Sequence, residues 1–490
     1  MKFPDVGRMG WSYRCKMLLF LFVALFATEF LVRGPARFLG SGFIFNDFIS
    51  PLAQSKAWVG GADPYSPQEV LRLWPKDAAH VDFLSRDAAA GTMAAKDGVP
   101  SPYPISCFPL LAPFSRAPWS TIHPAWLATN FVCALLLIGG LASFAELSRN
   151  DRRTYIFWGL ALGFAPLHTA VAGGNLIVVV GACVVVAMCL AKHNHEIMAG
   201  ALLGIAACLK PPVGLVFLAY YFFSRRWRTA LAGAAVAILV AAAAVLRYGL
   251  TVAQWVPSYS ANIREMFGAA GINDFSAANY LRFQLLNLQM PVYSVVGDSH
   301  AASLITWSIT GVLVLWWTVL LMRRTEGQEL LDLSTIATIG LLPVYHRFVD
   351  AVVLLLPLCF CLKVRVDKHK QIALVIALLL LPFLVPGASL LATLADSGRI
   401  PSRVTSGWWW NAAVMPHEAW AVLAVALVLL YAMSLARQGE VKPEPRWSHD
   451  LLRLASSPHG GFATSIRASS NSLSSLDISA TGVAGPPLHL

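Results

Sequence analysis

Apolar segments recur along almost the whole chain and are separated by short polar connections. We place these segments at approximately 17–33, 124–145, 155–171, 175–191, 197–209, 211–223, 229–247, 301–322, 333–345, 349–362, 371–389 and 413–436. A helix that crosses a bilayer needs about 20 apolar residues, and fewer where the helix stops at a cavity. The pattern therefore predicts an all-α polytopic membrane protein with about 12 transmembrane helices.

The basic residues concentrate in alternate connections between these segments. The connections concerned hold Arg149, Arg152 and Arg153, then Lys192, then Arg225, Arg226 and Arg228, then Arg323 and Arg324, and finally Lys363, Arg365, Lys368 and Lys370. Short loops rich in Lys and Arg stay in the cytoplasm. We therefore expect both termini to be cytoplasmic and three long loops, at about 34–123, 248–300 and 390–412, to lie on the extracytoplasmic side.

The two ends of the chain differ in character. The apolar run from Met17 to Val32 follows basic residues but is not followed by a small-residue cleavage pattern, so we interpret it as a retained first helix. After Ala436 the composition shifts to Ser, Pro, Gly and Arg, which cannot bury a core. These features predict a transmembrane domain over 1–436 and a disordered cytoplasmic tail over 437–490.

The composition excludes a water-soluble protein and argues against a nucleic-acid binder. Apolar residues make up 57% of the chain and charged residues only 13%, against about 25% charged residues in soluble domains. The net charge of +11 arises from the basic loops rather than from one patch. Six of the eight cysteines lie inside apolar segments, where cysteine behaves as a small hydrophobic residue, so no disulfide framework is predicted.

Asp47 is the strongest candidate for catalysis. It follows the first helix by about fourteen residues and is flanked by Phe45 and Phe48. An apolar flank withholds a carboxylate from water, which makes it more basic and suits it to act as a general base. The alternatives are a helix N-cap or an ion pair with Arg33 or Arg37.

Two further groups of polar residues adjoin apolar helices on the same predicted face. His346, Arg347 and Asp350 form a charged knot between two helices, where an Arg347–Asp350 pair that closes the turn is the alternative to a binding role. Lys210 ends a short helix, where it could bind an anion or satisfy the terminal carbonyls of that helix.

Weaker candidates for substrate contact lie in the turns and outer loops. His168 and Asn175 bracket one interhelical turn, and Arg264 lies in the most polar outer stretch, which also contains Asn262 and Asn273. Each could bind sugar hydroxyls, and each could equally serve its own turn or an ordinary solvated loop.

Several short motifs follow one another in a characteristic order. They are Asp47 after the first helix, Gly61-Ala62-Asp63-Pro64-Tyr65, a Tyr-Pro-containing re-entry at Tyr103-Pro104, and the Ala-Gly-rich helix that ends in Lys210-Pro211. This order resembles glycosyltransferase family 87, a group of GT-C-type membrane transferases, over roughly residues 15–390. Family members often have Gly-Gln where this chain has Gly174-Asn175.

This resemblance implies a GT-C-like fold and a polyprenyl-phosphate-linked sugar as donor. Asp47 then matches the catalytic base, His346, Arg347 and Lys210 are expected at the lipid phosphate, and no metal or separate cofactor is implied. The implied acceptor is a glycolipid or a polysaccharide hydroxyl, reached at the extracytoplasmic face of a membrane, which we expect to be a bacterial inner membrane. Substrate-contact candidates are Tyr65, Tyr103, His168, Asn175, Arg264 and Asp350.

Two other functions are compatible with a multi-helix membrane chain. A transporter or flippase for a lipid-linked sugar would also have about a dozen helices and cytoplasmic termini, although we find no internal repeat of the kind that many transporters have. A non-catalytic assembly subunit is the second alternative. Transfer of one sugar with inversion is the prediction that the motifs favour.

Overall fold

The computed structural model of the chain describes residues 13–40, 47–75, 101–148, 150–247, 252–269, 271–279, 281–323, 327–364 and 367–438. Within these ranges the structure is helical and contains no β-strand, and one isolated antiparallel bridge joins Leu285 to Arg347. The predicted all-helical class is confirmed. The predicted tail from 437 lies outside the described residues, apart from the end of the last helix.

The helices follow the apolar segments closely along the chain. In order they are α1 (Tyr13–Arg33), α2 (Pro35–Leu39), α3 (Ile49–Val59), α4 (Pro67–Arg72), α5 (Cys107–Ser115), α6 (Trp119–Phe144), α7 (Arg152–Leu162), α8 (Ala165–Gly173), α9 (Ile177–Lys192), α10 (Glu196–Leu209), α11 (Pro211–Phe223), α12 (Trp227–Arg247), α13 (Val252–Phe267), α14 (Gln289–Val296), α15 (Ser299–Met322), α16 (Glu329–Gly340), α17 (Leu355–Lys363), α18 (Asp367–Leu379), α19 (Gly387–Asp396), α20 (Ser402–Thr405) and α21 (His417–Gln438). Short 3-10 or π turns lie between them at Arg282–Gln284, Phe348–Leu354, Leu381–Leu384 and Trp410–Val414.

The predicted count of about twelve membrane spans is not confirmed. Among the described residues, five stretches are long and apolar enough to cross a membrane, or six if the bent pair α7 and α8 forms one span. The five are Arg14–Leu39, Trp119–Phe144, Trp227–Arg247, Ser299–Met322 and His417–Arg437. The other predicted spans are helices too, but they are short or interrupted.

The short helices α9, α10 and α11 explain much of this difference. They contain 16, 14 and 13 residues, which corresponds to lengths of about 24, 21 and 20 Å against a hydrocarbon thickness of about 30 Å. On α10, an added Cβ at Gly200 would lie 2.4 Å from the Thr229 carbonyl oxygen of α12, so only glycine permits this close packing. Sequence hydropathy reports the apolar environment of such helices, and it does not report whether they reach both faces.

The predicted helix 155–171 is broken into α7 and α8, whose axes differ by 46°. Phe164 adopts extended backbone angles as the N-cap of α8, and Pro166 occupies its first turn, where a missing N–H costs no hydrogen bond. At Gly163 an added Cβ would lie 2.1 Å from the Phe26 ring of α1. The break turns α8 so that it packs against the 3-10 turn Phe348–Leu354.

Charged groups separate toward two ends of the helical bundle. At one end Lys192 Nζ lies 2.5 Å from Glu146 Oε1, Arg226 pairs with Glu329, and Arg153 donates to the Leu362 carbonyl oxygen at 3.4 Å. Residue 175, just before α9, lies at the other end of the bundle. Lys192 is the last residue of α9, about 24 Å away. The basic connections thus share one end, while which membrane face it meets stays a prediction.

Candidate functional site

Asp47 is anchored to the turn that follows α8. Its backbone N–H donates to the Gly173 carbonyl oxygen at 2.6 Å. The next residue, Phe48, stacks on Trp126 with ring centroids 3.8 Å apart and an interplanar angle of 9°. The Trp126 indole in turn donates to the Gly174 carbonyl oxygen at 2.9 Å. These backbone and ring contacts therefore fix the position of the Asp47 backbone independently of the contacts that its side chain makes.

The N-cap role considered for Asp47 and its ion pair with Arg33 are not the arrangements seen. Phe48 is the N-cap of α3, and no side-chain cap bond is present there. Arg33 pairs with Glu29 of its own helix at 3.3 Å. Phe45, the other apolar residue expected beside the carboxylate, lies outside the described residues.

The side-chain amide of Asn175 links Asp47 to Lys210. Asn175 Nδ2 donates to Asp47 Oδ2 at 2.7 Å. Its Oδ1 accepts the backbone N–H of Ile177 at 2.9 Å and the Lys210 ammonium at 3.4 Å. The preceding residue, Gly174, has a φ of +65°, a left-handed conformation that favours glycine. This glycine turn is what directs Asn175 toward Asp47.

Lys210 lies at the corner between α10 and α11, and Pro211 begins the second of these helices. Its ammonium forms an ion pair with Asp350, and the two side chains are 14% and 3% exposed. The alternative in which Lys210 satisfies terminal carbonyls is therefore not the arrangement observed. A buried carboxylate on a distant segment is its partner.

Asp350 contacts His346 and Arg347 within one tight turn. Its Oδ2 lies 3.1 Å from His346 Nδ1 and accepts the backbone N–H of Arg347 at 3.2 Å. The Arg347–Asp350 ion pair considered as an alternative is not formed, because the Arg347 guanidinium donates to the Ile272 carbonyl oxygen at 3.0 Å and lies 3.4 Å from Asn273 Oδ1. Asp350 has Lys210 as its cation, so Arg347 is free to join the turn to the loop around 272.

His346 carries an unused nitrogen. The ring is 1% exposed, and its Nε2 has no hydrogen-bond partner within the described ranges. The backbone around it is firmly held, since the His346 carbonyl oxygen accepts the Leu286 N–H at 2.7 Å. A buried imidazole nitrogen without a partner is costly unless a ligand completes it.

The electrostatic surroundings make Asp47 a stronger base than an ordinary aspartate. Burial raises the pKa of this half-buried carboxyl above its usual value, and the charge of Asp350 raises it further. The hydrogen bond from Asn175 and the positive charges of Arg347 and Lys210 oppose the rise without cancelling it. The direction agrees with the predicted general-base role.

Two tyrosines, Tyr103 and Tyr65, belong to the surroundings of this site. Burial raises the pKa of the Tyr103 phenol well above its ordinary value, and the nearby charge of Asp47 adds to this effect. Tyr65 is buried, donates its hydroxyl hydrogen to the Tyr103 carbonyl oxygen at 3.0 Å, and packs on Tyr259 at 4.7 Å between centroids. Tyr65 thus supports the backbone that carries Tyr103.

His168 and Arg264 are not joined to this group. His168 is buried on α8, where its Nδ1 lies 3.5 Å from Thr169 Oγ1. Arg264 is exposed in the last turn of α13. In the described part of the chain, no hydrogen bond or ion pair connects either side chain to Asp47, Lys210 or Asp350. Their predicted substrate contacts stay predictions.

Two supporting residues received no individual role from the sequence. Asn262 Nδ2 donates to the Ser101 carbonyl oxygen at 2.9 Å, and Asn262 Oδ1 accepts the Ser101 N–H at 3.2 Å, which ties α13 to the segment that leads to Tyr103. Asn273 holds Arg347. Both lie in the polar outer stretch noted in the sequence, but their partners are more than seventy positions away and leave no local signal.

Part of the chain matches a known protein family. Residues 102–297 match the model of glycosyltransferase family 87. This match is narrower than the resemblance expected over 15–390. It includes Tyr103, His168, Asn175, Lys210 and Arg264. It leaves outside Asp47, Tyr65, His346, Arg347 and Asp350.

No curated protein and no solved structure shows a significant match to the chain. The family match confirms the resemblance that the sequence predicts. Several described helices are long and apolar enough to cross a membrane, and together with the family match they fit a multi-pass membrane protein. Over residues 102–297 the chain is therefore similar to glycosyltransferase family 87, and its apolar helices fit a membrane glycosyltransferase.

Proposed function

We propose that the protein transfers a sugar from a polyprenyl-phosphate-linked donor to a hydroxyl group of a lipid or glycan acceptor, with inversion, at the extracytoplasmic face. The observation that carries this proposal is the hydrogen-bonded chain from Asp47 through Asn175 to Lys210 and Asp350. It brings one basic carboxylate and one ammonium to the same small region. A base for the acceptor and a cation for the leaving group are the two parts that such a transfer needs.

The acceptor side of the reaction is assigned to Asp47. Its carboxylate takes the proton of the acceptor hydroxyl while that oxygen attacks the anomeric carbon of the donor sugar. The new glycosidic bond forms as the bond from the anomeric carbon to the phosphate oxygen breaks, and the polyprenyl phosphate leaves with both bonding electrons. The raised pKa of Asp47 favours this proton transfer at neutral pH.

The donor phosphate is assigned to Lys210, His346 and Arg347. The Lys210 side chain is still 14% exposed although its ammonium is paired, so this cation is not fully shut off from its surroundings. The unused Nε2 of His346 is a second group that a phosphate oxygen could reach. Fixed charges and donors at the place where negative charge develops usually contribute the largest single share of catalysis.

The stereochemical outcome follows from the state of the second carboxylate. A retaining transfer requires a free carboxylate that can attack the anomeric carbon. Asp350 is the nearby candidate, but its Oδ1 is paired with Lys210 and its Oδ2 with His346 and the Arg347 N–H. With both oxygens engaged, single displacement by the acceptor is the consistent mechanism.

The membrane face is proposed from the distribution of charge. The basic connections lie at the end of α9 opposite to the site, and loops of this kind remain in the cytoplasm. The site then faces the extracytoplasmic side, where no nucleotide sugar is available. A lipid-linked donor supplies its sugar there, because the lipid tail remains in the bilayer. No observation on the described residues favours a transporter.

The experiment is transfer of a labelled sugar from polyprenyl-phosphate donors by the purified full chain. Asp47→Asn is expected to lose at least about a thousandfold in transfer, since it removes the base and keeps the shape. Asp63→Asn is the matched control, because its Oδ1 only accepts the Tyr65 N–H within the same loop. Full transfer by Asp47→Asn would overturn the assignment of the base. A wild-type protein that transfers nothing but moves donor across vesicles would favour transport.

A further inference from the structure

Asn175 is the one side chain that contacts both Asp47 and Lys210 in the described structure. It is 5% exposed and lies directly after the left-handed Gly174. Its side chain serves the turn through Oδ1, which accepts the Ile177 N–H at 2.9 Å, and it reaches beyond the turn through Nδ2, which donates to Asp47.

The chemistry of its neighbours fixes how this amide is oriented. The oxygen Oδ1 lies against two groups that can only donate, the Ile177 N–H and the Lys210 ammonium. The nitrogen Nδ2 lies 2.7 Å from the Asp47 carboxylate, which accepts. A flipped amide would place donors against donors and an acceptor against an acceptor. The amide therefore has one satisfactory orientation.

This orientation distinguishes the two oxygens of the Asp47 carboxylate. Oδ2 is engaged by Asn175, whereas no hydrogen bond from a described residue reaches Oδ1. The oxygen that remains is the one an acceptor hydroxyl can use. A carboxylate held by one oxygen is oriented for proton transfer through the other, and misplacement by about 1 Å can cost about a hundredfold in rate.

We infer that Asn175 is a positioning residue for the transfer reaction: it fixes Asp47 with Oδ1 toward the acceptor and couples the base to the Lys210–Asp350 ion pair. This inference rests on the proposed function. Asn175 acts through Asp47 rather than by contact with the sugar, which differs from the substrate contact expected from the sequence.

The inference has a consequence for the pH dependence of transfer. The groups that face Asp47 from the surrounding elements are Arg347, Lys210, Asp350 and Tyr103, and the amide adds a donor that favours the charged carboxylate. Burial acts in the opposite direction and is the larger effect. Without the amide donor, Asp47 binds its proton more tightly. The acidic limb of the rate profile then moves to higher pH.

The test compares the pH profile of kcat/KM for wild type, Asn175→Leu and Asn175→Asp, with labelled sugar transfer as the readout. Leu removes the donor, and Asp replaces it by an acceptor of the same size whose negative charge also opposes ionisation of Asp47. Both variants are expected to lose about a hundredfold in transfer at neutral pH and to show the acidic limb at higher pH. If Asn175→Leu does not fold, the isosteric Asn175→Asp decides.

Asn130→Leu is the matched control. Asn130 is a fully buried amide on α6 whose Nδ2 only donates to the Trp126 carbonyl oxygen at 3.0 Å. It should keep the wild-type acidic limb. An equal loss of transfer at every pH, with the limb unmoved in both Asn175 variants, would show a merely structural role and overturn the inference. Absence of transfer by wild type would instead refute the proposed function, so the two failures are distinct.

Discussion

Among the described residues, two buried pairs of a lysine or an arginine with an aspartate differ in what surrounds them. Arg437 of α21 donates from Nη2 to Asp332 Oδ1 of α16 at 3.0 Å, and from Nε to the Leu320 carbonyl oxygen of α15 at 3.3 Å. The Trp317 indole also donates to the Asp332 carbonyl oxygen at 3.1 Å. This pair joins three helices, and its side chains are 6% and 0% exposed.

The Lys210–Asp350 pair instead borders groups whose bonding capacity is incomplete. Lys210 is partly exposed, His346 Nε2 has no described partner, and Asp47 keeps one oxygen available. The first pair is shut off from solvent, whereas the second lies beside groups that keep hydrogen-bonding capacity. The comparison indicates that a buried ion pair marks a functional site when its neighbours are left unsatisfied, rather than by burial alone.

The largest expected effect concerns the closed pair. Asp332→Ala leaves the Arg437 charge buried without its carboxylate, so we expect a loss of about 3–5 kcal/mol in stability. The double variant Asp332→Leu/Arg437→Met should recover most of this, because an apolar pair of similar volume needs no compensation. Thermal unfolding in detergent measures both. Normal stability of Asp332→Ala would remove the contrast between the two pairs.

The second effect concerns the open pair and appears in catalysis. Lys210→Met/Asp350→Leu removes both charges, and we expect stability near wild type but a loss of about a hundred- to a thousandfold in transfer. The matched control is the double variant at Asp332 and Arg437, which should transfer normally when folded. Steady-state transfer by the folded fraction checks this. Equal activity in the two double variants would contradict the assignment of Lys210 to the donor phosphate.

A smaller effect is expected at the turn that connects α8 to the site. Gly174→Ala forces a side chain into left-handed backbone, which costs about 1–2 kcal/mol. Gly297→Ala is the control, because Gly297 has a φ of +77° with nothing within 4 Å of an added Cβ. Both should lose similar stability in an unfolding assay, but only Gly174→Ala should also lose transfer. A loss of transfer in both would mean that the turn has no special connection to Asp47.

The smallest effect is a gain of stability at the open site. Because the folded pKa of Asp47 is raised, its ionisation disfavours folding at neutral pH, and this cost disappears as pH falls below the ordinary value for aspartate. Asp47→Asn should therefore be slightly more stable than wild type near pH 7 and equal to it in acid. Unfolding temperatures measured across pH test the sign. A destabilised Asn variant at neutral pH would contradict the raised pKa.

The sequence predicted where the helices lie better than it predicted which of them are long enough to cross a membrane. Each predicted apolar segment contains a helix, because burial in lipid or in protein selects the same side chains. For the same reason hydropathy cannot distinguish a crossing helix from an apolar helix such as α11, which has only thirteen residues. The break before Pro166 carries a local signal, whereas the packing of Phe26 at Gly163 carries none.

For the candidate site, the sequence assigned several polar residues to one predicted face but did not predict which of them contact each other. Asp47, Lys210 and Asp350 each adjoin a helix end, which is visible in the pattern of charges. The Lys210–Asp350 contact spans 140 positions, and the nearer Arg347 was the natural partner to expect. Arg347 is drawn away by Asn273 and the Ile272 carbonyl oxygen, acceptors that only the folded loop presents.

The corner at Lys210 has a consequence for the surrounding lipid. It joins two helices of 14 and 13 residues, each about 10 Å shorter than the hydrocarbon layer. If the basic connection at Arg226 lies in the headgroups of one leaflet, as proposed, the Lys210 ammonium would lie below the headgroups of the other leaflet. A phospholipid-like substrate would meet its counter-charge only after sinking beneath the level of its neighbours, or where the bilayer thins locally around the hairpin.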